Sequence, residues 1–215
     1  MNPATIARDV RYAVRMLLRN PGFTTIALLT FAVGIGVNTA VFSVFNGVLL
    51  RPLPYPDADR ITMMWLDNQV QGIKEDIGSY PSYRDWREQA ASFEHVAAFT
   101  PANFTMTGSD EPERIPGAQT TANFFAVLAM QPILGRLYTE AQEVPGSDTV
   151  VLLSHGLWQR KFGGNRDVLG TTITLNGTAH EIIGVMPPEL EIPSTAQMWK
   201  PLAPSEQLRN SRGSF

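Results

Sequence analysis

Few residues in this chain have the type and spacing needed for chemistry. The three histidines, His95, His155 and His180, lie far apart and lack the H-x-x-x-H or H-E-x-x-H spacing that puts two imidazoles on one helix face. The chain has no cysteine, which excludes thiolate nucleophiles, disulfides and Cys-rich metal sites. We therefore expect no metal site and no bound cofactor, and we interpret the chain as a protein that is not an enzyme.

Ser154 and His155, which are adjacent in the chain, are of the residue types that act as nucleophile and base in hydrolases. No Gly-x-Ser-x-Gly elbow surrounds them, and the sequence offers no identifiable acid partner, so an anchored hydrolase is the weaker hypothesis. A serine before an apolar run is also a preferred helix N-cap, which explains Ser154 without catalysis. The segment Phe162-Gly-Gly-Asn-Arg166 lacks the lysine of a phosphate-binding loop, so any nucleotide hydrolysis must come from another polypeptide.

A stretch without charged side chains, from Asn20 to Leu50, organises the rest of the chain. Its apolar part, Phe23 to Leu50, exceeds the roughly 20 residues that a membrane-spanning helix needs. In lipid a single segment satisfies all its backbone hydrogen bonds only as a helix. We therefore predict a membrane span that is longer than the hydrocarbon layer is thick, so that it tilts or its far end leaves the bilayer.

The charges on the two sides of this span differ in sign. Four arginines precede it, Arg8, Arg11, Arg15 and Arg19, and only one acid does, whereas the part after it has a net charge of −6. Positive flanks stay in the cytoplasm, so the N-terminus is predicted inside and the acidic body outside. An acidic body without a basic stripe also gives no indication of nucleic-acid binding. A cleaved signal peptide would have a shorter apolar region, which disfavours that alternative.

Residues Thr5 to Arg19 have the pattern of an amphipathic helix that lies on the inner leaflet, with the four arginines at spacings of three and four. The arginines are thus candidate membrane-surface residues. The alternative is a charge cluster that sets topology and has no further role.

Small and amide residues in the span predict packing against another helix. A small-residue ridge lets two backbones approach closely, and an amide in lipid is costly without a partner. The alternative is the ordinary glycine and alanine content of membrane helices. The candidate packing residues are Ala32, Gly36, Asn38, Ala40, Ser43 and Gly47, with Asn46 a further amide nearby.

The body after Arg51 shows mixed helix and strand patterns. The pattern predicts strands at Arg60 to Leu66, Phe93 to Thr107, Arg114 to Thr121 and Thr149 to Leu153, and helices at Ser79 to Ala91, at Ala122 to Met130 and after Ser154 as far as Gly163. Asn176-Gly177 between two β-rich runs predicts a type I′ hairpin, and Ser205 to Phe215 has no apolar periodicity. The four tryptophans, Trp65, Trp86, Trp158 and Trp199, are interpreted as core anchors.

Several motifs resemble one family in its own order. They are Asp9-Val-Arg-Tyr-Ala-Val-Arg-Met-Leu-Leu-Arg-Asn-Pro-Gly-Phe-Thr24, Ala32-Val-Gly-Ile-Gly-Val-Asn-Thr-Ala-Val-Phe-Ser43, Leu49-Leu-Arg-Pro-Leu-Pro-Tyr-Pro-Asp57, Tyr83-Arg-Asp-Trp-Arg87, Leu153-Ser-His-Gly-Leu-Trp158 and Ile183-Gly-Val-Met-Pro187. Together they resemble the MacB/FtsX-type ABC transporter permeases, most of all the duplicated orphan permeases. The resemblance covers about Arg8 to Leu202.

The resemblance implies an α+β extracytoplasmic domain of the MacB type behind one membrane helix. On this basis residues 1–22 form a cytoplasmic amphipathic helix, residues 23–50 the transmembrane helix and residues 51–215 the periplasmic core domain. It also implies a permease subunit in the bacterial inner membrane whose partners are a separate cytoplasmic ATPase and other permease helices or a second copy. Family members continue through further membrane helices, so we expect this chain to be a fragment or a truncated product. A single-pass sensing or scaffolding domain without an ATPase is the alternative.

Overall fold

The computed structural model describes residues 3–45, 55–68, 73–76, 78–108, 111–190 and 192–212. Contacts divide the chain into two compact units, Met1–Leu53 and Pro54–Phe215. The described part of the first unit consists of two helices, α1 (Pro3–Arg19) and α2 (Pro21–Phe45). Pro21 begins α2, where its fixed φ and missing N–H suit a first turn. The predicted continuation to Leu50 lies outside the described residues.

The second unit mixes short helices with strands. Its helices are α3 (Tyr80–Gln89), α4 (Phe124–Val127), α5 (His155–Phe162) and α6 (Glu206–Asn210). Its strands are β1 (Leu66–Asn68), β2 (Ile73–Asp76), β3 (Phe99–Thr107), β4 (Glu113–Thr120), β5 (Leu134–Gly135), β6 (Val150–Leu153), β7 (Thr172–Leu175), β8 (Thr178–Val185) and β9 (Met198–Pro201).

Seven of these strands form one mixed sheet in the order β5-β8-β6-β9-β4-β3-β7, and β7 also pairs with β8. The additional pairing closes six strands into a ring. The closure between β3 and β7 is short, with Met106 opposite Leu175 and Thr107 opposite Thr174. In the described part of the chain, β1 and β2 pair only with each other.

Side chains alternate between two hydrophobic clusters on the two faces of the sheet. Met198 and Ile182 belong to one cluster, whereas their neighbours Trp199 and Ile183 belong to the other. Successive side chains of a strand point to opposite faces, so this division follows from the strand period. All four residues of β6 are buried because both faces are covered, as its continuous apolar sequence predicted.

Several predicted elements are confirmed. The hairpin β7–β8 turns at Asn176-Gly177, where both residues have positive φ as a type I′ turn requires. Ser154 caps α5, and its Oγ accepts a hydrogen bond from the Leu157 N–H at 3.1 Å. Helix α5 ends at Gly163 with φ 59°. The β3–β4 hairpin and α3 also form, with β4 beginning at Glu113, just before the predicted Arg114.

The predicted strand at Arg60 to Leu66 is wrong. A 3-10 turn at Ala58–Arg60 is followed by residues 61–65, which pair with no strand among the described residues. Met63 and Trp65 are 48% and 53% exposed, so their alternation does not mark a buried face and Trp65 is not a core anchor.

Three other predicted elements differ in length or kind. The predicted helix at Ala122 to Met130 shortens to α4 because Ala129 adopts φ 50°, which ends it. The strand predicted from Phe93 begins only at Phe99, and the C-terminal region forms the short helix α6, capped by Ser205.

Candidate functional site

Helix α1 carries the four arginines predicted to face a membrane surface. Arg8, Arg11, Arg15 and Arg19 all fall within this helix and are exposed. Within the described residues none of them forms an ion pair or a side-chain hydrogen bond. Arginines three or four residues apart repel each other on a helix, so this arrangement costs stability unless an anion lies next to it.

Thr24 fixes the corner between α1 and α2, a role that the sequence analysis missed. Its Oγ1 donates to the Leu17 carbonyl oxygen at 2.7 Å and to the Asn20 carbonyl oxygen at 3.0 Å. Residues seven apart in a straight helix are separated by about 10.5 Å along the axis, so the bond to Leu17 shows a sharp bend at Asn20. The Asn20 side chain also donates to the Met16 carbonyl oxygen at 3.5 Å.

Helix α2 is long and apolar enough to cross a membrane, and none of its residues is buried within the unit. Its 25 residues extend over about 38 Å, against about 30 Å of hydrocarbon. Among the described residues it is the one helix that meets this criterion.

The predicted packing residues of α2 divide between two sides of the helix. At about 100° per residue, Ala32, Gly36 and Ser43 fall on one side, with Ala40 at its margin. Asn38 follows Gly36 by two residues and lies about 200° around the axis, on the opposite side. Among the described residues, no atom beyond its chain neighbours and the α2 backbone lies within 4 Å of the position that a Cβ at Gly36 would occupy, so that side is open there. Gly47 and Asn46 lie outside the described residues.

The candidate catalytic pair of the domain has structural contacts. Ser154 Oγ is occupied as the cap of α5, and the His155 ring packs edge-on against Trp158 at 5.6 Å between centroids. Within the described part of the chain, no hydrogen bond joins Ser154 to a histidine. The same part of the chain holds no cluster of three or more His, Cys, Asp or Glu side chains that could bind a metal.

The third histidine is buried in the sheet. The Nδ1 of His180 on β8 donates a hydrogen bond to the Thr178 carbonyl oxygen at 2.8 Å, and its buried Nε2 has no partner among the described residues. Burial lowers the pKa of His180, so the neutral imidazole is favoured.

A polar cluster around the buried Glu143 joins α3 and α6 to the end of β4. Glu143 is 8% exposed, and its Oε1 accepts a hydrogen bond from the Ala122 N–H at 2.6 Å. Burial raises the pKa of Glu143. Arg209 of α6 donates to the Glu143 carbonyl oxygen at 3.1 Å, and Arg87 of α3 pairs with Glu140. These contacts hold the two helices on the domain, and no sequence pattern indicated them.

Tyr138 extends this cluster into the core. Its hydroxyl shares a hydrogen bond with Thr120 Oγ1 and donates to the Lys200 carbonyl oxygen at 3.2 Å. Burial raises the pKa of Tyr138, so the phenol stays protonated. Lys200 in turn pairs with Asp148 at 3.1 Å. The polar groups satisfy one another and form a structural junction between β4, β9 and the segment after β5.

Two kinds of comparison identify relatives of this chain. The family model of the MacB-like periplasmic core domain matches residues 24–211. No curated protein matches the chain. The structure is similar to the periplasmic region of MacB from Actinobacillus actinomycetemcomitans, with 19% identity and a TM-score of 0.50 over 69% of this chain and 64% of that chain. It also resembles the extracellular domain of the noncanonic ABC-type transporter YknZ from Gram-positive bacteria, with 18% identity and a TM-score of 0.47 over 56% of this chain and 61% of that chain.

The structural similarity to the MacB region confirms the predicted α+β fold. This chain spans 64% of the length of that region, slightly under two thirds. The family match begins inside α2 and continues to the end of α6, so it covers most of the sequence. The chain belongs to the MacB-like periplasmic core domain family.

Proposed function

We propose that the chain is a membrane-anchored permease subunit of an ABC-type transporter. In this proposal a separate cytoplasmic ATPase hydrolyses ATP, and α2 passes the resulting movement to the periplasmic domain for export or efflux. The observation that carries the proposal is the family match from residue 24 to residue 211, which includes most of α2 together with the domain. The sequence contains no phosphate-binding loop of the G-x-x-x-x-G-K-[ST] type, so the proposal assigns ATP hydrolysis to the partner.

The proposed orientation places α1 in the cytoplasm and the domain in the periplasm of a bacterium, across the inner membrane. The four arginines of α1 support it, because basic residues next to a span remain on the cytoplasmic side. The chain lacks cysteine, so single-cysteine variants report topology without background. We expect Gln159→Cys, but not Tyr12→Cys, to react with an impermeant maleimide added outside spheroplasts. Labelling of both or of Tyr12→Cys alone contradicts the orientation.

The proposed partners of α2 are other permease helices or a second copy of the chain. Gly36 and Ser43 support close packing on one side, and the Asn38 amide supports a polar contact on the opposite side. Two packing sides suit a helix that is surrounded by neighbours. This arrangement also gives the ATPase a way to act on α2 through adjacent helices.

The coupling is tested by purifying the tagged chain from its native membrane in mild detergent. We expect an ABC ATPase to be identified in the eluate by mass spectrometry, with vanadate-sensitive ATP hydrolysis. Gly36→Leu fills the open side of α2 and should reduce recovery of the ATPase severalfold, because a bulky side chain prevents close helix packing. The control Val41→Leu, on another side, should leave recovery unchanged. A chain that never retains an ATPase contradicts the permease function and favours an anchored sensing or scaffolding domain.

A further inference from the structure

The four arginines of α1 form a narrow stripe, which we call the arginine stripe and define as Arg8, Arg11, Arg15 and Arg19. At about 100° per residue these four positions fall within about 80° of the helix circumference. The rule that keeps positive charge in the cytoplasm depends on the number of basic residues and not on their alignment. Their alignment on one side therefore needs a further explanation.

An apolar arc occupies about half of the remaining circumference. In order around the helix, Ala13, Leu17, Val14 and Leu18 cover about 140°, and Asp9 lies between this arc and Met16. Ala13 and Leu18, at the two edges of the arc, are exposed, so α2 does not cover them. An apolar arc beside a charged stripe is the pattern of a helix that lies in the membrane interface.

The depth of α1 brings the arginine stripe to the level of the lipid phosphates. The helix has a radius of about 5 Å, and interfacial helices bury their apolar side by about 5–10 Å. The stripe then points up into the headgroup layer, where guanidinium groups form paired hydrogen bonds with phosphate oxygens. The stripe has no acidic partner among the described residues, so phosphates would also relieve the repulsion between neighbouring arginines.

We propose that the arginine stripe binds the headgroups of anionic phospholipids and so fixes the cytoplasmic end of α2 in the inner leaflet. The Thr24 bonds to the Leu17 and Asn20 carbonyl oxygens connect the held helix to the span. With α1 held at the interface, α2 tilts about the corner at Asn20 and does not slide along the membrane normal. The proposal rests on α2 as a membrane span and does not depend on the ATPase.

The test uses the full chain in vesicles, with a fluorophore on Tyr12→Cys beside the stripe. Quenching by brominated phosphatidylglycerol is compared with quenching by brominated phosphatidylcholine at the same mole fraction. One arginine near an anionic surface contributes about a fivefold preference for anionic over neutral lipid. The whole stripe should therefore prefer phosphatidylglycerol over phosphatidylcholine by at least about tenfold. The preference should fall as the salt concentration rises, because exposed charges are screened. A fluorophore on Val33→Cys, in the middle of α2, should show no comparable preference.

Two triple variants separate charge from other effects. The glutamine variant combines Arg11→Gln, Arg15→Gln and Arg19→Gln, and its preference for phosphatidylglycerol should fall close to one. The matched variant with lysine at the same three positions should keep most of the preference. Equal quenching by both lipids in the unsubstituted chain overturns the proposal. So does a glutamine variant that retains the lipid preference but no longer recovers the ATPase, because the stripe would then bind an acidic protein surface. Loss of the lipid preference with normal ATPase recovery supports the proposal.

Discussion

Replacing Glu143 tests whether its carboxylate stabilises the domain by hydrogen bonding or by charge. The residue is 8% exposed, and its Oε1 accepts the Ala122 N–H at 2.6 Å. Glu143→Ala leaves this buried donor without a partner, which costs about 1–3 kcal/mol. Glu143→Gln keeps a carbonyl acceptor and removes the buried charge, so at pH 7 it should remain within about 1 kcal/mol of the unsubstituted chain or exceed it.

The pH dependence of the folding stability is a second, independent test of whether burial of Glu143 is unfavourable to its charge. Burial raises the pKa of Glu143 above its ordinary value of 4.5, so the folded state favours the neutral carboxyl. The stability that this preference contributes is fully present below about pH 4.5 and is lost as the pH rises through the raised pKa. Glu143→Gln lacks this titration. Its stability relative to the unsubstituted chain should therefore improve between pH 4.5 and pH 7.

The measurement is urea unfolding of the full chain in nanodiscs, followed by fluorescence of the buried Trp158 and Trp199. With a urea dependence of about 1–3 kcal/mol per molar, Glu143→Ala should lower the midpoint by about 1 M. Glu143→Gln serves as the matched control. If it loses as much stability as Glu143→Ala at pH 7, attraction to Arg87 and Arg209 outweighs burial and the reasoning is wrong.

Three further predictions use the same assay. Gly184→Ala brings a methyl group within 2.8 Å of a backbone carbonyl oxygen and should cost about 1–3 kcal/mol. Its control Gly156→Ala has open space around it and should be neutral or stabilising by up to about 1 kcal/mol. Equal midpoints for the two variants would contradict the close contact at Gly184. Ser154→Ala removes the cap of α5 and should cost about 1 kcal/mol; an unchanged midpoint would show that the cap is unimportant. Asn176→Ala removes the acceptor of a β3 N–H and puts alanine at φ 51°. The expected cost is about 1–2 kcal/mol, and an unchanged midpoint would contradict it.

Local chemistry made part of the fold predictable. Asn176-Gly177 fixed a hairpin because these residue types tolerate positive φ, and Ser154 marked a helix start because its hydroxyl accepts a backbone N–H. The strand predicted around Met63 and Trp65 failed because alternation indicates a buried face only where another element covers it. That information lies in the tertiary structure.

The candidate site was predictable to a similar extent. The spacing of the four arginines follows directly from the helical repeat, and so does the small-residue side of α2. The Thr24 bond to Leu17 depends on the angle of the corner, which sequence spacing does not give. The buried position of Glu143 depends on α3 and α6 meeting a distant segment, and charged residues are ordinarily expected at the surface.

The cyclic strand pairing has a mechanical consequence for the domain. A sheet with two open sides can be unzipped from either side, one strand at a time, whereas a strand within a cycle must separate from two neighbours at once. The β3–β7 and β6–β9 junctions of the ring have two residue pairs each, whereas the hairpin β3–β4 has eight. The first rupture under tension should therefore occur at one of these two short junctions. Above the force that breaks this weakest pairing, the ring of strands opens into a sheet with two free edges. Below that force, the domain transmits tension as one stiff body.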